Sequence, residues 1–261
     1  LLERLRRFQR DAFPQYRSQF QSLVDEGQHP TTLFIGCSDS RLVPYLLTGT
    51  GPGDLFLVRN VGAFVPPCDG SFGYHGTAAA IEFAVLSLNV SRIIVCGHSH
   101  CGGIRALYHG VPAAAKNLTQ WLELGKEAVL PVAEPGPEAL RRTEQRAVVL
   151  QLERLMDYPM VRERVEAGSL ALHGWHYVIE DGEVHVFDVK AGAFIPASNA
   201  EHAGTGPYAG YREPSAYPAT ETLPPCPCRP PTPAPTPNPC THSWRAARCA
   251  RCRWPVARCC R

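Results

Sequence analysis

No run of apolar residues in the 261-residue chain approaches the roughly 20 that a membrane-spanning helix requires. The opening LLERLRRFQRDAF is broken by charge too often to read as a secretory signal. Cysteine is scarce where a disulfide framework would need it: of eleven, only Cys37, Cys68, Cys96 and Cys101 fall in the first 202 residues. That scarcity points to a reducing compartment and a metal site rather than cross-links. Net charge is nearly absent as well, +2 overall, and unevenly placed. Residues 203–261 hold eight Arg against two acidic residues, which leaves 18 basic against 22 acidic in the rest. The overall value therefore says nothing about the body of the protein, and neither a nucleic acid nor a membrane is expected as a partner. No internal repeat is visible.

Three regions are expected from the residues present. Residues 1–26 form a helical arm, with Leu1, Leu5, Phe8 and Ala12 at helical spacing, an interruption at Pro14, and the stripe resumed by Phe20, Leu23 and Val24. Such a stripe ahead of the first core strand needs a partner surface. Residues 27–202 form the catalytic domain. Apolar segments at 32–36, 55–59 and 92–96 alternate with helical patterns at 81–88, 116–129 and 138–157, the last stopped at Pro159. This alternation predicts an α/β fold: a mostly parallel central β-sheet flanked by helices. Residues 172–189 alternate across Asp181-Gly182, a hairpin whose first arm joins the sheet edge. Residues 203–261 hold thirteen of the 25 prolines and are expected to be a disordered tail. CARC at 249–252 could be half of a zinc knuckle, but the surrounding proline argues against a folded one.

The chemistry lies in TLFIGCSDSR and IIVCGHSHCGG, each an apolar strand followed by Cys, His or Asp. Ligands of open parallel sheets collect at the carboxyl ends of strands. If these two strands are neighbours, Cys37, His98 and Cys101 converge, and two thiolates with one imidazole leave a fourth position open, the catalytic pattern for zinc. Asp39 is the one candidate to close that position, and Arg41 is placed to hold it away by a bidentate ion pair. Cys68 and Cys96 read as small hydrophobes, His100 as a surface loop residue, and His173, His176 and His185 as sheet or surface residues.

CSDSR followed about sixty residues later by GHSHCGG resembles the β-class carbonic anhydrases, above all plant-type and cyanobacterial carboxysomal members. The likeness continues through GQHP (27–30), GDLFLVRNVGAFVPP (53–67), GTAAAIEFAVLSLNV (76–90) and LHGW (172–175), and so spans about residues 1–200. It implies a lyase that reversibly hydrates CO2 to bicarbonate and a proton by zinc-bound hydroxide, with one Zn2+ per subunit on Cys37, His98 and Cys101. Asp39 and Arg41 would be catalytic. By the same resemblance Gln28 reaches the partner subunit's site, and Phe56, Val61 and Phe83 line the CO2 pocket; for the reaction, Gln28 and the Gly102 amide are the candidates to hold a CO2 or bicarbonate oxygen. A homodimer or higher even oligomer is implied, in the cytoplasm or alternatively in a carboxysome or organelle. A bicarbonate-regulated subgroup has tryptophan where this chain has Phe34, so weaker bicarbonate control is expected although Arg59 is present. Hydrolysis of CS2 or COS, and a non-enzymatic shell role, are the alternative functions.

Overall fold

TLFIGC becomes β1 (Thr32–Cys37), buried at all six positions, as a central strand covered on both faces must be. The computed structural model describes residues 1–70, 75–132 and 134–200. β1 lies between β2 (Leu55–Asn60) and β3 (Arg92–His98). The sheet continues through β4 (Ala171–Val178), β5 (Glu183–Asp188) and β6 (Ala193–Pro196) in the order β2-β1-β3-β4-β5-β6. β2, β1, β3 and β4 run parallel, whereas β5 and β6 are antiparallel additions. The mixed α/β architecture agrees with the sequence expectation. The hairpin arm β4 joins beside β3, and the chain turns at Ile179–Gly182 with Gly182 at φ +68°. β6 carried no separate sequence signal.

Alternation along the strands divides the core. Leu33, Ile35, Ile93 and Val95 pack on one face with Ile81, Val85, Leu155 and Tyr158. Phe34, Ile94 and Cys96 pack on the other with Leu42, Phe64, Ile104 and Leu122. Helices α1 (Leu2–Arg7) and α2 (Phe13–Asp25) form the arm, joined by a wide π-type turn over Phe8–Ala12. Pro14 therefore interrupts less than expected: it sits in the first turn of α2, where its missing N–H is tolerated, and the widened turn before it carries the chain through. A short α3 (Pro44–Thr48) follows β1, and α4 (Gly76–Glu82) precedes β3. After β3 come α5 (Gly102–His109), α6 (Lys116–Leu122), α7 (Pro137–Asp157) and α8 (Pro159–Glu166). The expected disordered tail lies outside the described residues, among which no helix is long and apolar enough to cross a membrane.

Cys68 departs from its expected place as a buried hydrophobe. It is exposed, because it follows Pro66-Pro67 in a loop rather than a strand end.

α7 lies close to the sheet because glycines face it. A Cβ on Gly97 would stand 2.7 Å from Val148 Cγ2, and one on Gly174 would stand 3.0 Å from Leu152 and Val148. Gly97→Ala should therefore push α7 outward and cost about 1–3 kcal/mol, the usual penalty of overpacking. A lowered urea midpoint at unchanged slope is the expected result, and an unchanged midpoint would show that Val148 yields freely.

Candidate metal centre

Cys37 ends β1, His98 ends β3, and Cys101 immediately precedes α5. Because the parallel register sets Gly36 opposite Cys96, the two strand ends stand side by side. The donor atoms of Cys37, His98 and Cys101 lie within 4.8 Å of one another, and all three residues are buried. The two sulfurs are 3.9 Å apart. The turn that brings Cys101 back beside His98 holds His100 at φ +57°, a left-handed conformation uncommon for a residue with a side chain.

The donors are prepared for a cation. His98 Nδ1–H donates to the Ser99 carbonyl at 2.8 Å. A carbonyl only accepts, so the ring's lone pair is on Nε2. Nε2 is buried and, among the described residues, has no hydrogen-bond partner. A buried orphan acceptor beside two sulfurs fits zinc, a metal of mixed nitrogen and sulfur preference. The hydrogen bond with Cys101 holds the Cys37 thiol well below its ordinary pKa, against the opposing effect of burial. That same bond, with burial, raises Cys101. A cation held between the pair would displace the proton the two sulfurs share. Burial pushes the His98 imidazole down, but the Cys37 sulfur, the Ser99 carbonyl and Asp39 together make the net shift upward.

Asp39 borders this cluster without joining it. Arg41 grips both its oxygens, Nε to Oδ1 at 2.9 Å and Nη2 to Oδ2 at 2.8 Å, and the Arg41 main-chain N–H adds a third bond at 3.0 Å. The guanidinium holds the Asp39 carboxyl well below the usual carboxylate range. Oδ2 stands 3.9 Å from His98 Nε2.

Other expected site residues are distributed unevenly. Val61 follows β2, and its Cγ1 would lie 3.1 Å from a Cβ on Gly103. Gly102 opens α5 beside Cys101 and is exposed. Gln28 is exposed in the loop before β1 and does not line the cavity around the cluster. Phe56 and Phe83 pack together with ring centroids 5.8 Å apart. They too are apart from the cluster of their own chain, because Phe56 pairs with Leu33, four residues and about 13 Å of strand before Cys37. His100 is exposed as expected.

Several supporting roles were not foreseen. Arg59 donates to the Cys37 carbonyl at 2.9 and 2.8 Å and to the Asp39 carbonyl at 2.6 Å, so it clamps the loop that carries both side chains. Trp121 Nε1–H donates to the Val61 carbonyl at 2.7 Å, while the next amide, Gly62 N–H, points at Cys37 Sγ from 3.4 Å. His176 is fully buried against Glu144. Its place on the same β4 face as Gly174 and Val178 was the available signal.

Comparison with known proteins agrees with this geometry. The family model for carbonic anhydrase matches residues 32–184. A carbonic anhydrase of Synechocystis sp. is 38% identical over 195 residues, covering 72% of this chain and 70% of the relative. One from Pseudomonas aeruginosa is 41% identical over 205 residues, covering 75% and 89%. The solved structure of the β-carbonic anhydrase CcaA is similar at a TM-score of 0.70 and 37% identity, over 75% of this chain and 89% of that one. Two tetrameric β-carbonic anhydrases from Sordaria macrospora are represented by a structure with a TM-score of 0.58 and 29% identity, over 72% and 95%. With the Cys-His-Cys cluster at the two strand ends and the family match across the whole parallel sheet, the chain belongs to the β-class carbonic anhydrases.

Proposed function

We propose that the reversible hydration of CO2, the reaction of the family, takes place at the cluster of Cys37, His98 and Cys101, with zinc held by the two Sγ atoms and by Nε2. The observation that carries this reading is the buried His98 Nε2, without a hydrogen-bond partner among the described residues and beside two cysteine sulfurs. Zinc at such a site acidifies water, making hydroxide available near neutral pH, and two thiolate ligands temper that effect and favour alkaline conditions.

The chain's own residues then orient and protect. Asp39 Oδ2 accepts the hydrogen bond of the attacking O–H and turns its lone pair toward CO2. Arg41 keeps Asp39 ionised and prevents it from swinging onto the ligand position, and Arg59 fixes the backbone beneath both. The Gly102 amide holds an oxygen of CO2 or bicarbonate. CO2 has no dipole, so a dry apolar wall retains it better than a polar one. Val61 supplies part of that wall. Gln28, Phe56 and Phe83 lie apart from their own cluster, and we assign them to the site of a second copy docked along β2. β2 is an edge strand whose one neighbour among the described residues is β1, and Phe83, Leu86 and the arm residues Leu1, Leu2, Leu5 and Phe8 are exposed. The tetrameric relatives from Sordaria macrospora fit an even assembly.

Phe34 supports weak bicarbonate control. It is fully buried edge-on to Trp175, with ring centroids 6.2 Å apart, and the guanidinium of Arg59 is committed to backbone carbonyls.

Asp39→Asn and Arg41→Ala should keep one zinc per chain and lose about 10²-fold or more in kcat/KM for CO2, the scale of positioned proton-handling groups. Cys37→Ala should lose zinc and activity together. Full activity in Asp39→Asn would remove Asp39 from the mechanism. Phe83→Glu places a charge in the assigned interface, so sedimentation should shift toward monomer and activity should fall more than tenfold with zinc retained. A fully active Phe83→Glu dimer would contradict the shared site.

A further inference from the structure

We propose that Glu144 and His176 form a buried positioning pair for the metal centre, in which Glu144 holds the backbone amide of Cys101 and His176 holds Glu144. The inference rests on the reading of Cys37, His98 and Cys101 as the zinc ligands.

Glu144 projects from α7 and His176 from β4, and only 4% and 0% of them is exposed. A carboxyl so deeply buried must find donors. Glu144 Oε1 accepts from Cys101 N–H at 3.1 Å, and Oε2 faces His176 Nε2, also at 3.1 Å, with the ring N–H as donor. Both oxygens thus have partners.

The peptide unit between His100 and Cys101 is held at its two ends. Glu144 takes its N–H, and Arg41 Nη2 donates to its carbonyl oxygen at 3.0 Å. Rotation of this peptide would swing Cys101 Sγ away from Cys37 Sγ and His98 Nε2. The turn needs holding, because His100 at φ +57° occupies a region that residues with side chains rarely adopt. Arg41 also grips Asp39, so one peptide links the outer ion pair to the buried one. Close approach of α7 is what lets Glu144 reach: its main chain passes beside Gly97, where a Cβ would stand 3.7 Å from the Glu144 carbonyl oxygen.

The test is zinc affinity of the full chain by chelator competition, with the sulfur-to-metal charge-transfer band of the Co2+-substituted protein as a second readout. Glu144→Leu, which has no acceptor for the Cys101 amide, should weaken zinc by about 10–100-fold and alter the Co2+ band, the scale seen when partners of metal ligands are lost. Glu144→Gln keeps an acceptor at Oε1 and should stay within about threefold of the parent. His176→Phe should fall between them. If Glu144→Leu does not accumulate as folded protein, Glu144→Asp, which withdraws the acceptor by one methylene, carries the same expectation. Arg142→Ala, an exposed change on the same helix, should leave zinc affinity unmoved. Wild-type protein that binds one zinc while the Leu or Asp variant matches it would overturn the pair alone. So would a Gln variant as weak as Leu. Wild-type protein that binds no zinc would instead defeat the ligand assignment beneath it.

Discussion

The register between β1 and β3 is the constraint on which the rest depends. Gly36 opposite Cys96 puts Cys37 and His98 at adjacent strand ends, and a slip of one residue would turn every side chain of β1 to the other face. The same register sorts Leu33 and Ile35 into one core face and Phe34 into the other, so the hydrophobic division that stabilises the sheet also places the metal ligands. Core and site are therefore not separable. A change that loosens one face shifts the cluster.

Around that register the site is held mainly through the backbone. Arg59 fixes the carbonyls of Cys37 and Asp39, Trp121 fixes the Val61 carbonyl, and Gly62 presents its amide to Cys37 Sγ. Thiolate ligands repel one another electrostatically. The two sulfurs stand 3.9 Å apart, and the Gly62 amide is aimed at the more acidic one. The bidentate Arg41–Asp39 pair does the complementary task, keeping an ionised acceptor next to the cluster but outside it.

Much of this was legible in the sequence, and the parts that were not share a cause. Strands β1 to β3 announced themselves as apolar runs, and CSDSR with GHSHCGG carried ligand chemistry at their ends. Residues whose roles are set by contacts distant in the chain did not show. Arg59 reads by resemblance as a bicarbonate-pocket arginine, and its grip on the Cys37 and Asp39 carbonyls shows only once β2 pairs with β1; Glu144 and His176, 32 residues apart, meet only once α7 lies on the sheet. Gln28, Phe56 and Phe83 were expected at the site by resemblance yet stand away from the cluster of their own chain; their proposed counterpart belongs to a second copy. Pro14 suggested a break that a wide turn absorbs, and Cys68 suggested a core residue where a proline-led loop leaves it exposed.

The central claim is that Cys37, His98 and Cys101 alone among the protein's side chains bind the zinc. X-ray absorption at the zinc edge of the wild-type chain tests it most directly. The account predicts one zinc with two sulfurs at about 2.3 Å and two lighter nitrogen or oxygen neighbours at about 2.0–2.1 Å. Four sulfurs would place the metal among the cysteines beyond residue 225, and none would remove Cys37 and Cys101 from its coordination; either result would contradict the account.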